Sequence, residues 1–229
     1  MVLCIVQARL SSKRFPGKVL ADIAGKPMLS RVIDRVDKSK LINQIVVAVP
    51  KGDKELINLL GSKKYNPHDQ RKTPGRIIGF SGSENDVLDR FYQATTALRY
   101  NPYTIVRITS DCPLIDPKVI DKTIGYFLSG GFDYANNRPS FPDGMDVEVF
   151  SYKALIKAWE QATSSYDREH VTTYFQDHPK LFKIGKLRRH RRKLPDLKWS
   201  VDELKDLEFA REVYERFGED FTMEDILRI

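Results

Sequence analysis

Short apolar runs alternate with amphipathic segments along the first half of the chain. The runs at 2–7, 45–49 and 103–108 are rich in β-branched residues, as is typical of buried parallel strands. Between them, residues 28–38 and 84–98 repeat apolar side chains at helical spacing. This alternation predicts an α/β fold with a mostly parallel sheet, helices on both faces, and ligands at the carboxyl ends of the strands.

The second half of the chain has a less regular pattern. Strands are predicted at 146–150 and 181–187, so a mixed sheet is expected there. Helices are predicted at 151–162, 166–177 and 203–217. No internal repeat or linker divides the chain, and residues 1–229 are therefore expected to form a single domain.

Composition and charge indicate whether the protein is secreted, crosses a membrane or binds nucleic acid. No apolar run approaches the roughly 20 residues that span a bilayer, and the N-terminal run lacks the features of a signal peptide, so a cytoplasmic protein without a membrane partner is expected. The net charge is +7, and most of it comes from six basic residues in the run 186–193. Residues 63–76 carry charges and two prolines without apolar periodicity, which predicts an exposed loop.

A cluster of basic residues follows the first predicted strand. It places Arg9, Lys13, Arg14 and Lys18 beside two serines, in the turn where a doubly wound fold binds anions. Guanidinium and ammonium groups bind phosphate oxygens, so this loop could hold a polyphosphate. On charge alone, a solvated basic loop is an equally good interpretation, and the Walker motif is absent.

Two aspartates stand where short apolar runs end. Asp111 and Asp202 could each hold Mg²⁺, which prefers carboxylate and phosphate oxygens. Each could instead cap the turn or helix that follows it, and the local pattern alone favours the cap. Asp116, just before Pro117, is predicted to be a helix cap.

Seven motifs occur along the chain in a fixed order. They are Gln-Ala-Arg-Leu-Ser-Ser-Lys-Arg-Phe-Pro-Gly-Lys at 7–18, Gly-Lys-Pro-Met-Leu at 25–29, Gly-Ser-Glu-Asn-Asp-Val-Leu-Asp-Arg-Phe at 82–91, Thr-Ser-Asp-Cys-Pro-Leu-Ile at 109–115, Pro-Asp-Gly-Met-Asp-Val-Glu-Val-Phe at 142–150, Arg-Glu-His-Val-Thr at 168–172 and Val-Asp-Glu-Leu-Lys-Asp-Leu-Glu at 201–208. Together they resemble the spore-coat polysaccharide biosynthesis protein F family, within the superfamily of acylneuraminate and 3-deoxy-manno-octulosonate cytidylyltransferases. The resemblance covers nearly the whole chain.

That resemblance implies a fold and an activity. The fold would be that of the Rossmann-like nucleotide-diphospho-sugar transferases, with a mixed, mostly parallel sheet flanked by helices. The activity would be Mg²⁺-dependent transfer of CMP from CTP to a sugar or sugar acid, with release of pyrophosphate, for surface polysaccharide biosynthesis. A homodimer would be consistent with the superfamily.

The resemblance also implies roles for individual residues. Arg9 and Lys18 would bind the triphosphate and act in catalysis with Asp111, while Asp111 and Asp202 would coordinate Mg²⁺. Further nucleotide contacts are implied for Ala8, Ser12, Arg14, Ser81, Gly82 and Ser83. Contacts with the acceptor are implied for Asp143, Asp146, Glu148, Glu169 and His170. For His170, a packed helix histidine is an equally good interpretation.

The chain departs from the family pattern in one region. Residues 50–76 are longer and more basic than usual, and Ser81 stands where the family has an arginine in Arg-Gly-Ser. One basic contact with the nucleotide is therefore either lost or supplied by Arg76.

Two other functions fit parts of the sequence. A glycosyltransferase that consumes a nucleotide sugar would share the fold, although such enzymes usually carry Asp-x-Asp where this chain has Asp111-Cys-Pro. A nucleic-acid-binding module could use residues 186–193, but no aromatic platform or nucleic-acid motif flanks that run. Neither the acceptor nor the base that would activate an acceptor hydroxyl can be named from the sequence.

Overall fold

The computed structural model describes residues 1–61, 76–98, 102–189 and 197–229. Within these ranges the strands are β1 (Val2–Gln7), β2 (Asp22–Ile23), β3 (Lys26–Pro27), β4 (Gln44–Pro50), β5 (Ile77–Gly82), β6 (Thr104–Thr109), β7 (Tyr134–Asn136), β8 (Glu148–Ser151) and β9 (Ile184–Lys186). The helices are α1 (Met28–Asp37), α2 (Lys54–Leu60), α3 (Val87–Thr96), α4 (Pro117–Gly130), α5 (Tyr152–Gln161), α6 (Ser165–His170), α7 (Thr173–Asp177), α8 (Leu204–Phe217) and α9 (Met223–Ile226), with a 3₁₀ turn at Lys18–Leu20.

Seven of these strands form one mixed sheet in the order β5-β4-β1-β6-β8-β7-β9. Strands β5, β4, β1 and β6 are parallel, whereas β8 runs antiparallel to both of its neighbours. Successive residues of β1 pack on opposite faces, with Cys4 and Val6 in one apolar core and Leu3 and Ile5 in the other. This two-sided burial explains the continuous apolar run in the sequence, and the predicted fold class is confirmed.

Three loops meet at the carboxyl edge of the sheet. The backbone N–H of Ser110 donates to the carbonyl of Gln7, which ties the end of β6 to the end of β1. The N–H of Val201 donates to the carbonyl of Asp111 at 2.8 Å, which brings the segment before α8 to the same place. Residues distant in sequence therefore share one edge, as expected for a parallel sheet.

Several element boundaries differ from the prediction. The single helix predicted at 166–177 is wrong, because the chain turns sharply at Val171 and forms two short helices. Val171 has φ 63° and ψ −58°, and the N–H of Thr172 donates to the carbonyl of His170 at 2.6 Å, which is the geometry of a classic γ-turn. The edge strand β5 was not predicted, since its residues are only partly buried.

Two predictions concern segments that lie largely outside the residues that the structure describes. The loop predicted at 63–76 is described only at Arg76, and the basic run 186–193 only up to Arg189. No helix in the described part of the chain is both long enough and apolar enough to cross a membrane. The single domain over residues 1–229 stays a prediction.

Candidate active site

Two adjoining cavities open at the carboxyl edge of the sheet. The larger has a volume of about 440 Å³ and lies over the ends of β1 and β6. The smaller, of about 280 Å³, lies between β6 and the segment that leads into β8. Five residues line both cavities: Arg14, Arg107, Thr109, Asp111 and Asp202. The two cavities therefore meet at Asp111 and Asp202, and we call this meeting point the junction.

The larger cavity is strongly basic. Six basic side chains face three carboxylates there. The basic residues are Arg9, Lys13, Arg14, Lys18, Arg90 and Arg107, and the acidic ones are Asp111, Glu169 and Asp202. Such an excess of positive charge suits a polyphosphate, whose oxygens accept charge-assisted hydrogen bonds from guanidinium and ammonium groups.

The loop that supplies four of these cations is held in place by its neighbours. The N–H of Leu10 donates to Asp53, and the hydroxyl of Ser11 donates to Glu84. The N–H of Gly17 donates back to the carbonyl of Leu10, and Gly17 has φ 70°, a conformation that favours glycine. These contacts fix the shape of the loop.

Lys18 joins the two aspartates. Its side chain is only 10% exposed, and its Nζ donates to Asp111 Oδ2 at 3.2 Å, to Asp202 Oδ1 at 3.0 Å and to the carbonyl of Val201 at 2.6 Å. The structure therefore brings Asp111 and Asp202 together around one cationic group, although 91 positions separate them in sequence.

The surroundings keep Asp111 ionised. Burial acts to raise the pKa of its carboxyl, but the charge of Lys18 and hydrogen bonds from Thr109 and Lys18 hold the pKa below its ordinary value. The carboxylate of Asp202 also contacts Arg14 Nη2 at 2.8 Å. Asp111 and Asp202 thus both contact cationic side chains at the junction.

The local interpretation of Asp202 as a helix cap is wrong. The N-cap of α8 is Glu203, which forms a capping box with Asp206. The carboxylate of Asp202 points instead to Lys18, Arg14 and Lys198. By contrast, Asp116 does cap α4 as predicted, since its side chain accepts from the N–H of Lys118.

The donor chemistry at the junction fits Mg²⁺. Among the described residues, no group of three or more His, Cys, Asp or Glu side chains is arranged to hold a metal ion. Mg²⁺ commonly takes only one or two protein carboxylates and completes its shell with water and substrate phosphates. Asp111 and Asp202 together meet that requirement.

The smaller cavity gathers three of the residues implied to contact the acceptor: Asp143, Asp146 and Glu148. Glu148 accepts hydrogen bonds from Arg107 and from the hydroxyl of Tyr134. Burial acts to raise its pKa, but the charge of Arg107 holds the pKa below its ordinary value. Glu148 is thereby fixed as a buried, ionised group.

Asp146 has a different environment. Its Oδ2 lies 2.7 Å from Arg138 Nη2. Burial raises the pKa of Asp146 to about 6, with Arg138 opposing the shift and Asp143 adding to it. The backbone around it is clamped by the buried Asn137, whose side chain donates to the carbonyl of Met145 and accepts from the N–H of Val147.

Glu169 and His170 are not in the smaller cavity. Both line the larger one, where Glu169 Oε1 pairs with Arg9 Nη2 at 3.1 Å. The γ-turn at Val171 ends α6 directly after these two residues. The structure thus places them beside the predicted triphosphate loop rather than with Asp143, Asp146 and Glu148.

The predicted nucleotide contacts fall into two groups. Ala8, Arg9, Ser12, Arg14, Lys18 and Asp111 line the larger cavity. The segment Ser81–Ser83 is not among the lining residues of either cavity. Ser83 Oγ instead accepts from the N–H of Asp86 at the start of α3. Arg76 pairs with Asp37 and with the carbonyl of Ser39, outside both linings.

Sequence reasoning missed two arginines in the larger cavity, Arg90 and Arg107. Arg90 was detectable in principle, since it lies on the same helical face as Val87 and Ala94, which are buried. A charged residue on the buried face of an amphipathic helix requires a polar partner.

Comparison with known proteins gives a consistent result. The profile of the family described as Cytidylyltransferase matches residues 3–224. The chain is 32% identical to the spore coat polysaccharide biosynthesis protein SpsF of Bacillus subtilis over 224 residues, which cover 95% of this chain and 88% of that protein.

Solved structures show the same architecture. A cytidylyltransferase from Leptospira borgpetersenii has a TM-score of 0.87 and 28% identity, covering 99% of this chain and 92% of that one. A CMP:2-keto-3-deoxy-manno-octonic acid synthetase complexed with CTP shares the fold with a TM-score of 0.65 and 15% identity, over 94% of this chain and 98% of that one. With the family profile spanning nearly its whole length, the chain belongs to the cytidylyltransferase family.

Proposed function

We propose that this protein transfers CMP from CTP to a hydroxyl group of a sugar or sugar acid, releases pyrophosphate, and serves surface polysaccharide biosynthesis. The observation that carries the proposal is the junction of the two cavities, where Asp111, Asp202 and Lys18 lie between a basic space and an acidic one. Family membership supports CTP as the donor, and the name of the Bacillus subtilis relative supports the polysaccharide role.

Each cavity would have its own part in the reaction. The triphosphate would bind among the basic side chains of the larger cavity, with its α-phosphate at the junction and the acceptor approaching from the smaller cavity. Arg9 and Lys18 would neutralise the charge that develops on the departing pyrophosphate. Asp111 and Asp202 would hold Mg²⁺, which supplies further neutralisation of phosphate charge.

The charge of the smaller cavity favours a hydroxyl nucleophile over a sugar phosphate. Five carboxylates and three guanidinium groups line it, and each guanidinium is already paired with a carboxylate. A phosphate dianion would meet repulsion there. The single carboxylate of a sugar acid could be met by Arg14 or Arg138, whose side chains are more than half exposed.

A hydroxyl nucleophile must lose a proton, and we propose that Asp146, which lines the smaller cavity, takes it. Turnover is expected to fall as the pH drops below about 6, because the carboxyl of Asp146 then becomes protonated. Asp146→Asn should abolish this acid limb and slow turnover about a hundredfold. Asp143→Asn should keep the limb but move it to lower pH, since it removes a neighbouring negative charge. Steady-state rates across pH 5–8 test this, and an unchanged limb in Asp146→Asn would exclude the role.

CTP with Mg²⁺ is expected to protect the protein against thermal unfolding more than ATP or GTP does. A ligand that binds only the native state raises stability by RT ln(1 + [L]/Kd), so a hundredfold excess over Kd adds about 2.7 kcal/mol. The measurement is the shift in melting temperature with each of the four triphosphates at equal concentration. Equal shifts would remove the assignment of cytidine.

An activity screen separates the proposal from the alternatives. Pyrophosphate release is measured with each triphosphate and Mg²⁺ against sugars, sugar acids and sugar phosphates. A glycosyltransferase would release a nucleotide from a nucleotide sugar and no pyrophosphate. A cytoplasmic location and a homodimer stay predictions, and the run 186–193 lies partly outside the described residues.

A further inference from the structure

Arg90 occupies an unusual position for a charged residue. It lies on α3, is only 1% exposed, and lines the larger cavity. Its stem packs closely against Gly82, where an added Cβ would come within 2.9 Å of Arg90 Cγ. Glycine at position 82 thus makes room for this arginine, and the guanidinium has little freedom to move toward solvent.

The hydrogen bonds of Arg90 leave part of its guanidinium unmatched. Its Nη1 donates to the carbonyl of Ser83 at 2.5 Å, which fixes the plane of the group. Its Nε is buried and has no hydrogen-bond partner among the described residues. An unmet buried donor is costly, and a buried charge without a counter-ion is more so.

The surrounding charges add to this cost. No carboxylate among the described residues lies within ion-pair distance of Arg90, and the charge of Arg9, which lines the same cavity, acts on it unfavourably. Burial lowers the pKa of Arg90 to about 10, and the positive charge of Arg9 makes a smaller contribution in the same direction. The negative charges of Asp53 and Glu84 oppose this shift. The group remains a cation at neutral pH.

We propose that Arg90 binds a phosphate oxygen of the nucleotide through the part of its guanidinium that faces the larger cavity, as a partner of Arg9 on the triphosphate. This rests on the proposed function, since it takes the larger cavity as the nucleotide site. An anionic oxygen would accept a hydrogen bond from this guanidinium and compensate the two neighbouring positive charges together. The carbonyl of a neutral base would accept the hydrogen bond but compensate no charge. The anion therefore fits the charge balance better.

Arg90 does not replace the arginine that the resembling family has where this chain has Ser81, because Arg90 belongs to the 82–91 motif that the chain shares with that family. Arg76, the other candidate for that contact, pairs with Asp37 outside the cavity linings. Arg90 lines the larger cavity and is anchored beside this segment through Ser83.

The test is calorimetric binding of CTP, inorganic triphosphate and cytidine, with Mg²⁺, to wild type, Arg90→Gln, Arg90→Lys and Arg76→Gln. Both Arg90 variants are expected to bind CTP and inorganic triphosphate about tenfold or more weakly, the scale of a lost hydrogen bond to a charged group, with cytidine unaffected. Arg76→Gln, the matched control, should bind all three like wild type. Arg90→Lys keeps the stem and the charge but removes the guanidinium, so it tests the contact of that group even where Arg90→Gln does not fold.

Other outcomes would overturn the assignment in distinguishable ways. Wild-type affinity for CTP in Arg90→Lys, or equal weakening of cytidine and triphosphate, would mean that Arg90 is structural. Weaker binding of CTP and inorganic triphosphate in Arg76→Gln alone would assign the phosphate contact to Arg76 instead. Absence of CTP and triphosphate binding in the wild type would remove the proposed function itself.

Discussion

Replacing Lys18 with alanine is expected to slow pyrophosphate release on the order of a hundredfold or more, the scale measured for removing one preorganised donor from a reacting centre. The physical reason is its position. Its Nζ lies at the junction of the cavities and contacts both aspartates, and its side chain is nearly buried. A fixed cation at that point costs no reorganisation when charge develops on the phosphates.

The Lys18 prediction has a matched control in the same network. Lys198 also contacts Asp202, at 3.3 Å, but lines neither cavity. Lys198→Ala should therefore retain most of the rate, while circular dichroism and thermal melts establish that both variants fold. Full activity in Lys18→Ala would contradict the assigned role, and its unfolding would show that the lysine is chiefly structural.

Asp111→Asn and Asp202→Asn are each expected to lower turnover about a hundredfold or more, with the double variant little worse than either single one. Both carboxylates contact the same ammonium group, so they belong to one charge cluster. If they also share one Mg²⁺, the first substitution disables the site and the second removes little further. Groups that act as a unit are coupled in this way, whereas independent groups give additive losses.

The measurement for this pair is turnover of both single variants and the double variant across a Mg²⁺ titration. Asp116→Asn serves as the matched control, because Asp116 follows the same strand but caps α4 and lines neither cavity. It should lower thermal stability and keep the wild-type magnesium dependence. Additive losses, or normal magnesium dependence in either single variant, would rule out a shared metal.

The sequence predicted the central strands and the loop after β1 well. Strands β1 and β4 are buried on both faces, so their apolar runs are unbroken and easily recognised, and in β6 only Arg107 interrupts the run of Ile105, Val106 and Ile108. Edge strand β5 lacks that signature because its residues are mostly half-buried. The break between α6 and α7 depends on one strained turn at a valine, which no local propensity indicates.

The candidate site was predictable in its parts and only partly in its pairing. Asp202 carries the local signature of a helix cap, and only the resemblance implied that it meets Asp111 at one Mg²⁺. In the structure, the hydrogen bond from Val201 to Asp111 and the common contact with Lys18 bring the two aspartates together. The pairing of Glu169 with Arg9 spans 160 positions and has no local signal. The family resemblance named these residues, and the three-dimensional arrangement assigns them to different cavities.

The central claim, transfer of CMP from CTP, is tested most directly by following the α-phosphate. The protein is incubated with Mg²⁺, CTP labelled at the α-phosphorus, and a panel of sugars and sugar acids that includes 3-deoxy-manno-octulosonate and an acylneuraminate. The products are separated and weighed by mass spectrometry. We expect a labelled CMP–acceptor adduct formed in step with unlabelled pyrophosphate, with CTP preferred over the other triphosphates. Equal use of all four triphosphates, or label that never leaves CTP for any acceptor, would contradict it.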